Sequence, residues 1–235
     1  MAIKNRAMEQ EVAMANSILS KMISKNGLIL AGFAAICVGL IAFTYFITRD
    51  TIASEMQAAL ARTLNQLVPQ NEYDNDVHHD CTLVQSVELL GSNETVHAYR
   101  MRKNGQPVAV VLESVAPNGY SGKIHLVVGI YADGQLAGVR VSEHKETPGL
   151  GDKIDANKSD WILSFSEKSL TSPTIEQWKV KKDGGAFDAF TGATITPRAV
   201  VEQVAKTLQF YQQQKDVLFN GPQNCASVIS TSRQQ

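Results

Sequence analysis

The sequence predicts an α+β fold, in which an antiparallel sheet with flanking helices follows one N-terminal transmembrane helix. Three observations lead to this prediction: an uncharged apolar segment near the N-terminus, four extended runs joined by short turns, and helical patterns on both sides of those runs. A length of 235 residues is enough for one sizeable domain plus an anchor, and too short for two large domains.

The predicted membrane segment covers residues 27–47, GLILAGFAAICVGLIAFTYFI, a run of 21 residues without a charge. At about 1.5 Å per residue, such a helix crosses a hydrocarbon core of roughly 30 Å. A buried core helix rarely stays uncharged for this length, and Thr48-Arg49-Asp50 offers no convincing cleavage site for a signal peptide. Lys21 and Lys25 precede the segment and favour an N-terminus on the inside.

Three parts are therefore predicted: a cytoplasmic N-terminal segment (1–26), a transmembrane helix (27–47) and an exported domain (48–235). Met22 stands directly before Ile-Ser-Lys-Asn-Gly and the apolar run, which suggests the hypothesis that it is the natural start. Mass spectrometry of the native N-terminus tests that hypothesis. The chain carries 22 basic and 23 acidic residues, and no broad basic field that would indicate nucleic-acid binding.

A helix is predicted over Thr51–Leu67, because its apolar residues recur at three- and four-residue steps until Pro69. The central region predicts strands joined by turns at Asn104-Gly105, Asn118-Gly119 and Asp133-Gly134. Asn-Gly suits a type I′ hairpin, in which both central residues have positive φ. The four predicted strands are Val96–Lys103, Pro107–Val115, Lys123–Tyr131 and Leu136–Ser142.

Beyond the strands, Ser159–Lys168 is predicted as helical with Ser159 as its cap, and Gln177–Lys182 as a last strand. A loop from Gly184 to Ile195 leads to a C-terminal helix. Thr196 suits the N-cap of that helix and Pro197 its first turn.

The cysteines leave two alternatives open. Cys37 lies in the apolar run, whereas Cys81 and Cys225 lie in the exported part, where they could pair or remain two free thiols. His78-His79-Asp80-Cys81 contains metal-ligand residue types, but adjacent side chains on an extended segment point to opposite faces. We therefore expect no metal site there.

The segment from Asp188 to Pro197, DAFTGATITP, is the most informative stretch for function. Its small residues let backbone N–H groups approach a ligand, and it runs into a helix N-terminus, which favours an anion. The hydroxyls of Thr191, Thr194 and Thr196 lie nearby in sequence. This pattern predicts a phosphate cradle, with an ordinary turn and helix cap as the alternative.

Asp188-x-x-Thr191-Gly192-Ala193-Thr194 resembles the motif at which flavin transferases move FMN from FAD onto a threonine hydroxyl. From about Met22 to Cys225, the chain also resembles a family of FMN-binding proteins. That family includes RnfG of the Rnf electron-transport complex and the related NqrC of the sodium-pumping NADH:quinone reductase. The matching runs are APNGYSG at 116–122, ETPGLGDKI at 146–154 and VKKDGG at 180–185.

The resemblance implies covalent FMN, joined by a phosphoester bond to Thr194, and a role for Asp188 when the transferase recognises its acceptor. It implies that four further residues surround the phosphate: Thr191, Gly192, Ala193 and Thr196. It also implies a second wall near the isoalloxazine ring, formed by Glu146, Thr147, Gly149 and Leu150. Gly149 and Gly151 would permit close backbone approach that a Cβ would block.

By the same resemblance, the chain is a single-pass protein of the bacterial inner membrane, with its C-terminal domain in the periplasm. Its partners would be the other subunits of an Rnf-type complex and, during maturation, a flavin transferase. The complex couples electron flow between ferredoxin and NAD to ion movement, so this chain would be one redox relay without catalysis of its own. Two other functions stay open: a non-redox membrane-anchored assembly or adaptor domain, and a self-sufficient flavoenzyme. A dinucleotide-binding glycine loop after a strand is absent, which argues against direct use of NAD.

Overall fold

The computed structural model describes the backbone of residues 2–225, and the side chains of residues 24–225 except those at 53, 56 and 57. Met22, the hypothetical natural start, lies outside the described side chains. The chain divides into two compact units, Met1–Ala59 and Leu60–Gln235. The first helix, α1, comprises Ala2–Leu67.

Within the first unit, Ser24–Ile52 is a segment of 29 residues that is long and apolar enough to cross a membrane. It includes the predicted segment 27–47, and its large apolar side chains are exposed. The hydroxyl of Thr44 donates to the carbonyl of Leu40 at 3.0 Å, and that of Thr48 donates to the carbonyl of Thr44 at 2.8 Å. These polar groups are satisfied within the helix, as a hydrocarbon environment requires.

The second unit contains a five-stranded antiparallel sheet in which the strands follow one another in chain order. The antiparallel sheet with helices confirms the predicted fold class, and four of the five strands match predicted strands. The first strand, β1, was not predicted. The strands are β1 (Cys81–Ser86), β2 (Ser92–Lys103), β3 (Gln106–Gly119), β4 (Gly122–Tyr131) and β5 (Leu136–Glu143).

One of the predicted turns is confirmed and another is wrong. Asn104 and Gly105 have φ values of 51° and 78°, which confirms the type I′ hairpin between β2 and β3. The turn predicted at Asn118-Gly119 is wrong by two residues, because Gly119 still pairs with Gly122 across β3 and β4. The residues at the corner are therefore Tyr120 and Ser121. A Cβ on Gly119 would lie 2.3 Å from the carbonyl oxygen of Gly122, so close approach of the strands requires glycine there.

The C-terminal helix α2, Ile195–Asn220, packs on one face of the sheet. It contributes an apolar stripe to the main core, formed by Ala199, Val200, Val201, Val204, Ala205, Leu208, Phe210, Tyr211, Leu218 and Phe219. A second core contains Leu64 and Leu67 at the end of α1 and Val68, which follows the helix. The paired Gly129 and Gly138 adjoin Leu67, since Cβ atoms there would lie 3.2 Å and 3.1 Å from its side chain.

Two predicted elements between β5 and α2 take other forms. The segment predicted as a helix over Ser159–Lys168 is a 3-10 helix, Asp160–Phe165, and the Ser159 side chain caps it as expected by accepting a hydrogen bond from the amide of Trp161. The strand predicted over Gln177–Lys182 is wrong. This segment joins two 3-10 helices, Ile175–Gln177 and Lys181–Asp183, and within the described residues it pairs only through an isolated bridge from Val180 to Phe187.

A buried ionic cluster connects the C-terminal end of α2 to the sheet. Arg100 is 2% exposed, and its Nε donates to the carbonyl of Leu218 at 2.6 Å. Arg102 donates to the carbonyl of Phe219. Both guanidinium groups approach Asp80, with Arg102 Nε 2.8 Å from Asp80 Oδ2 and Arg100 Nη1 3.5 Å from Oδ1. Cations thus satisfy carbonyls of the last helical turn, where the helix dipole favours positive charge.

A disulfide bond lies beside this cluster. It joins Cys81, at the start of β1, to Cys225, beyond α2, with Cα atoms 5.7 Å apart. Cys37, in the apolar segment of α1, is a free cysteine. The covalent bond and the ionic cluster therefore fasten the same end of α2 to the same edge of the sheet.

His97 on β2 and Glu113 on β3 form an ion pair, with His97 Nδ1 2.9 Å from Glu113 Oε2. The hydrogen bond to the Glu113 carboxylate raises the pKa of His97 above its ordinary value. A raised pKa in the folded state means that the pair stabilises the fold fully below the unfolded pKa of about 6.5. That contribution is lost as the pH rises through the folded pKa.

We therefore expect the wild-type chain to lose more unfolding free energy than His97→Gln between about pH 5.5 and about pH 8.5. Urea unfolding of the detergent-solubilised full chain measures this difference. His125→Gln on β4 is a matched control, because His125 forms no ion pair within residues 24–225. An equal pH dependence in wild type and His97→Gln would contradict the assignment.

Candidate functional site

A cavity of about 320 Å³ lies where α2 begins, a volume at the lower end for a small-molecule pocket. Three segments enclose it: the turn between β3 and β4, the loop that follows β5, and the start of α2. The lining residues are Tyr120, Glu146, Thr147, Leu150, Gly151, Gly192, Ala193, Thr194, Ile195 and Thr196.

A tight turn precedes the helix. The amide of Ala193 donates to the carbonyl of Phe190 at 3.2 Å, and Gly192 has a φ of 82°. Positive φ at the third position of a four-residue turn is typical of type II, and it favours glycine at that position. The turn directs the chain from the buried Phe190 to the cavity wall at Ala193.

Trp161 holds the segment before this turn. Its indole N–H donates to the carbonyl of Asp188 at 2.8 Å. Its ring packs edge to face against that of Phe190, with the ring centroids 5.0 Å apart. No local sequence pattern indicates a role for Trp161, although it lies two residues after the Ser159 cap. Because the contact spans 27 residues, no local pattern could have indicated it.

The start of α2 differs from the prediction. The helix begins at Ile195, with Thr194 at the N-cap position, so the prediction of Thr196 as N-cap is wrong. The physical reason is a tertiary hydrogen bond: the hydroxyl of Thr196 is fully buried and donates to Glu146 Oε2 at 2.5 Å. Thr194 makes no side-chain cap bond, and within residues 24–225 its hydroxyl has no hydrogen-bond partner.

The helix start carries unpaired backbone amides in the described residues, one on the exposed Ile195 and one on the fully buried Thr196. Within the described part of the chain, the N–H groups of Ile195 and Thr196 donate to no protein acceptor, and Pro197 has no N–H. Both residues line the cavity. Unpaired amides at the positive end of a 26-residue helix form a site that favours an anion such as a phosphate.

The loop after β5 forms the opposite wall. The amides of Leu150 and Gly151 donate to the carbonyl of Thr147 at 3.2 Å and 3.1 Å, which closes a compact loop. Gly151 packs against Glu146, because a Cβ there would lie 2.7 Å from Glu146 Oε2. Gly149 has a φ of 77°, a conformation that favours glycine, and among the described residues no protein atom lies within 4 Å of a Cβ at that position.

The cavity brings together seven of the ten residues proposed from the sequence for cofactor binding. Asp188, Thr191 and Gly149 are not among the lining residues. Asp188 is exposed, and its carboxylate lies 2.6 Å from the ammonium group of Lys181. Tyr120 and Ile195 line the cavity, although no role was predicted for them from the sequence. Tyr120 lies in the run APNGYSG at 116–122, one of those that carry the family resemblance.

Three large apolar side chains surround the mouth of the cavity, one from each segment. Tyr120, Leu150 and Ile195 are 68%, 44% and 47% exposed. The site therefore combines unpaired helix amides, which favour an anion, with a rim of large apolar side chains, which suits a flat ring. Such an arrangement defines a class of protein: a domain that holds a phosphorylated aromatic cofactor.

Comparison with known families specifies the cofactor. The family model of the FMN-binding domain matches residues 119–209, which include every residue of the cavity wall. The family model of the RnfG N-terminal region matches residues 14–67. The chain thus contains an FMN-binding domain, and the apolar helical segment lies within the second match.

Three relatives that match over almost their whole length carry the same name. The G subunit of the ion-translocating oxidoreductase complex of Pseudoalteromonas atlantica is 53% identical over 213 residues, which cover 91% of this chain and 99% of the relative. The protein of that name from Vibrio atlanticus is 50% identical, and the match covers 86% of this chain and 97% of the relative. The one from Shewanella amazonensis is 45% identical, over 88% of this chain and 96% of the relative. The chain belongs to this family, the G subunits of ion-translocating oxidoreductase complexes.

Proposed function

We propose that this chain is a membrane-anchored electron carrier that holds FMN covalently, through a phosphoester bond to Thr194. The observation that carries the proposal is the Thr194 hydroxyl, which lies on the cavity wall at the start of α2 without a hydrogen-bond partner in residues 24–225. Thr196 offers no comparable hydroxyl, because its hydroxyl donates a hydrogen bond to Glu146.

The attachment step balances without an oxidant or a reductant. A flavin transferase uses FAD as the donor, and the Thr194 oxygen forms a bond to the phosphorus of the FMN half. The pyrophosphate bond breaks, AMP leaves, and the hydroxyl proton is released. Asp188 would mark the acceptor loop for the transferase; its exposure and its ion pair with Lys181 leave it on the surface. Thr191, also exposed, lies in the turn between Asp188 and Thr194.

The protein contributes binding and orientation. The amides of Ile195 and Thr196 would bind phosphate oxygens, and Gly192 and Ala193 place the adjoining backbone. Leu150, Tyr120 and Ile195 would contact the ring system. The bound flavin would supply one-electron redox chemistry, which links two-electron donors to one-electron centres.

The proposal extends to location and partners. Residues 1–26 would be cytoplasmic, 27–47 would cross the bacterial inner membrane, and 48–235 would form the periplasmic domain. The disulfide between Cys81 and Cys225 supports an oxidising compartment for that domain. The relatives are named as subunits of an ion-translocating complex, which supports a relay role beside other subunits, without independent catalysis.

Intact-protein mass and in-gel flavin fluorescence under denaturing conditions test the proposal, after co-expression of the chain with a flavin transferase. We expect a mass gain of one FMN less one water, mapped to the peptide that contains Thr194. No gain, with a control acceptor labelled in the same cells, would favour the alternative of a non-redox anchored adaptor. Turnover of a small donor by the purified loaded chain alone would favour a self-sufficient flavoenzyme.

A further inference from the structure

Glu146 is a buried carboxylate at the meeting point of the three segments that enclose the cavity. It is 4% exposed. Its Oε2 accepts a hydrogen bond from the hydroxyl of Thr196 at 2.5 Å, and its Oε1 accepts one from the amide of Ser121 at 3.0 Å. A single side chain therefore joins the first turn of α2 and the β3–β4 turn to the loop after β5.

Two glycines pack against this carboxylate. A Cβ on Gly119 would lie 2.9 Å from Glu146 Oε1, and one on Gly151 would lie 2.7 Å from Oε2. Real side chains do not approach so closely, so any other residue at either position would displace the carboxylate or its loop. The backbone thus encloses the carboxylate on two sides and fixes its direction.

The hydrogen bonds of Glu146 have opposite effects on the two threonines of the helix start. Thr196 is fully buried, and its hydroxyl donates a hydrogen bond to Glu146. Thr194, two residues earlier, keeps a hydroxyl on the cavity wall that has no partner in residues 24–225. The bond to Thr196 also holds the first helical turn at a fixed distance from the loop that carries Leu150.

We propose that Glu146 is the positioning residue of the flavin site, and that it acts through its hydrogen bonds to Thr196 and Ser121. This inference rests on the proposed attachment of FMN to Thr194. By fixing the first turn of α2, Glu146 presents the Thr194 oxygen and the free amides in one geometry. By fixing the β3–β4 turn, it places Tyr120 on the rim of the same cavity.

The test measures the kinetics of flavin transfer from FAD to the full-length chain by purified transferase, with in-gel fluorescence as the readout. We expect Glu146→Ala to lower kcat by about 10-fold or more, since a hydrogen-bonded charge that orients a reacting group has an effect of this order. KM for the acceptor chain should change little, because the exposed surface that the transferase meets is unaltered. Glu143→Gln, an exposed acid at the end of β5, is the matched control and should label at the wild-type rate.

The same hydrogen bond is tested from its other end, with smaller changes that preserve folding. Thr196→Val removes the donor and should lower kcat, whereas Thr196→Ser restores it and should label at nearly the wild-type rate. The double variant Glu146→Ala/Thr196→Val should be no slower than Glu146→Ala alone, since both changes break one bond.

Each outcome separates this inference from the proposed function. Labelling of Glu146→Ala and Thr196→Val at the wild-type rate, with wild type labelled on Thr194, would overturn the positioning role and leave the attachment intact. A rise in KM with kcat unchanged would also overturn it, because the residue would then act in docking. Absence of label in the wild type would remove the attachment to Thr194 and this inference together.

Discussion

Thr194→Val is expected to yield a folded, membrane-inserted chain that carries no covalent flavin. Valine has nearly the shape of threonine but lacks the oxygen to which phosphorus would bond. The threonine hydroxyl makes no cap bond with α2, so its removal leaves the helix start intact. Denaturing-gel fluorescence and intact mass measure the loss of flavin, while thermal unfolding verifies that the fold is retained.

Two companion variants sharpen this result. Thr95→Val changes an exposed threonine on β2 that neither lines the cavity nor belongs to the motif, and it should keep its flavin. Thr194→Ser keeps a hydroxyl at the same position and should still be labelled. Covalent flavin in Thr194→Val, mapped to Thr196 or to any other residue, would disprove the attachment site.

Local chemistry decided the features that the sequence predicted well. Asn104-Gly105 forms its type I′ turn because two positive φ values are needed at adjacent positions, and these two residues tolerate them. The start of α2 was placed to within two residues by Thr196-Pro197, since proline is favoured in the first turn of a helix. Both decisions depend on a few neighbouring residues.

Tertiary contacts decided the features that were missed. The turn was expected at Asn118-Gly119, but Gly119 serves the close approach of β3 to β4 and to Glu146, which lies much further along the chain. Thr196 was expected to cap α2, but its hydroxyl binds a carboxylate 50 residues away. No pattern confined to either segment contains that information.

The wrong strand prediction has a related cause. Trp178 and Val180 are buried at alternate positions, which is the period of a strand. Within the described part of the chain, that segment has no neighbouring strand with which to form a ladder, and it bridges only to Phe187. The alternating apolar residues are therefore buried, but they do not form a strand. In the opposite sense, β1 is only six residues long, and its pairing with β2 was not visible in its own sequence.

The second large effect is expected from Asp80→Leu, which should destabilise the exported domain by about 3–5 kcal/mol, because it leaves buried guanidinium charge without its carboxylate. Arg100 has only 2% of its side chain exposed and, besides Asp80, binds the carbonyls of Leu218 and Pro222. Those neutral acceptors cannot neutralise the charge. Urea unfolding of the detergent-solubilised chain, with its disulfide oxidised, measures the loss.

Asp76→Leu is the matched control for this prediction. Asp76 also pairs with a nearby basic side chain, His79, with Asp76 Oδ2 2.8 Å from His79 Nδ1, but both side chains are mostly exposed, at 62% and 78%. Solvent screens such a pair, so its removal should change stability by no more than about 1 kcal/mol. Similar losses in the two variants would contradict a buried ionic anchor at this end of α2. Because that anchor lies at the opposite end of the helix from Thr194, Asp80→Leu molecules that remain folded should still accept flavin.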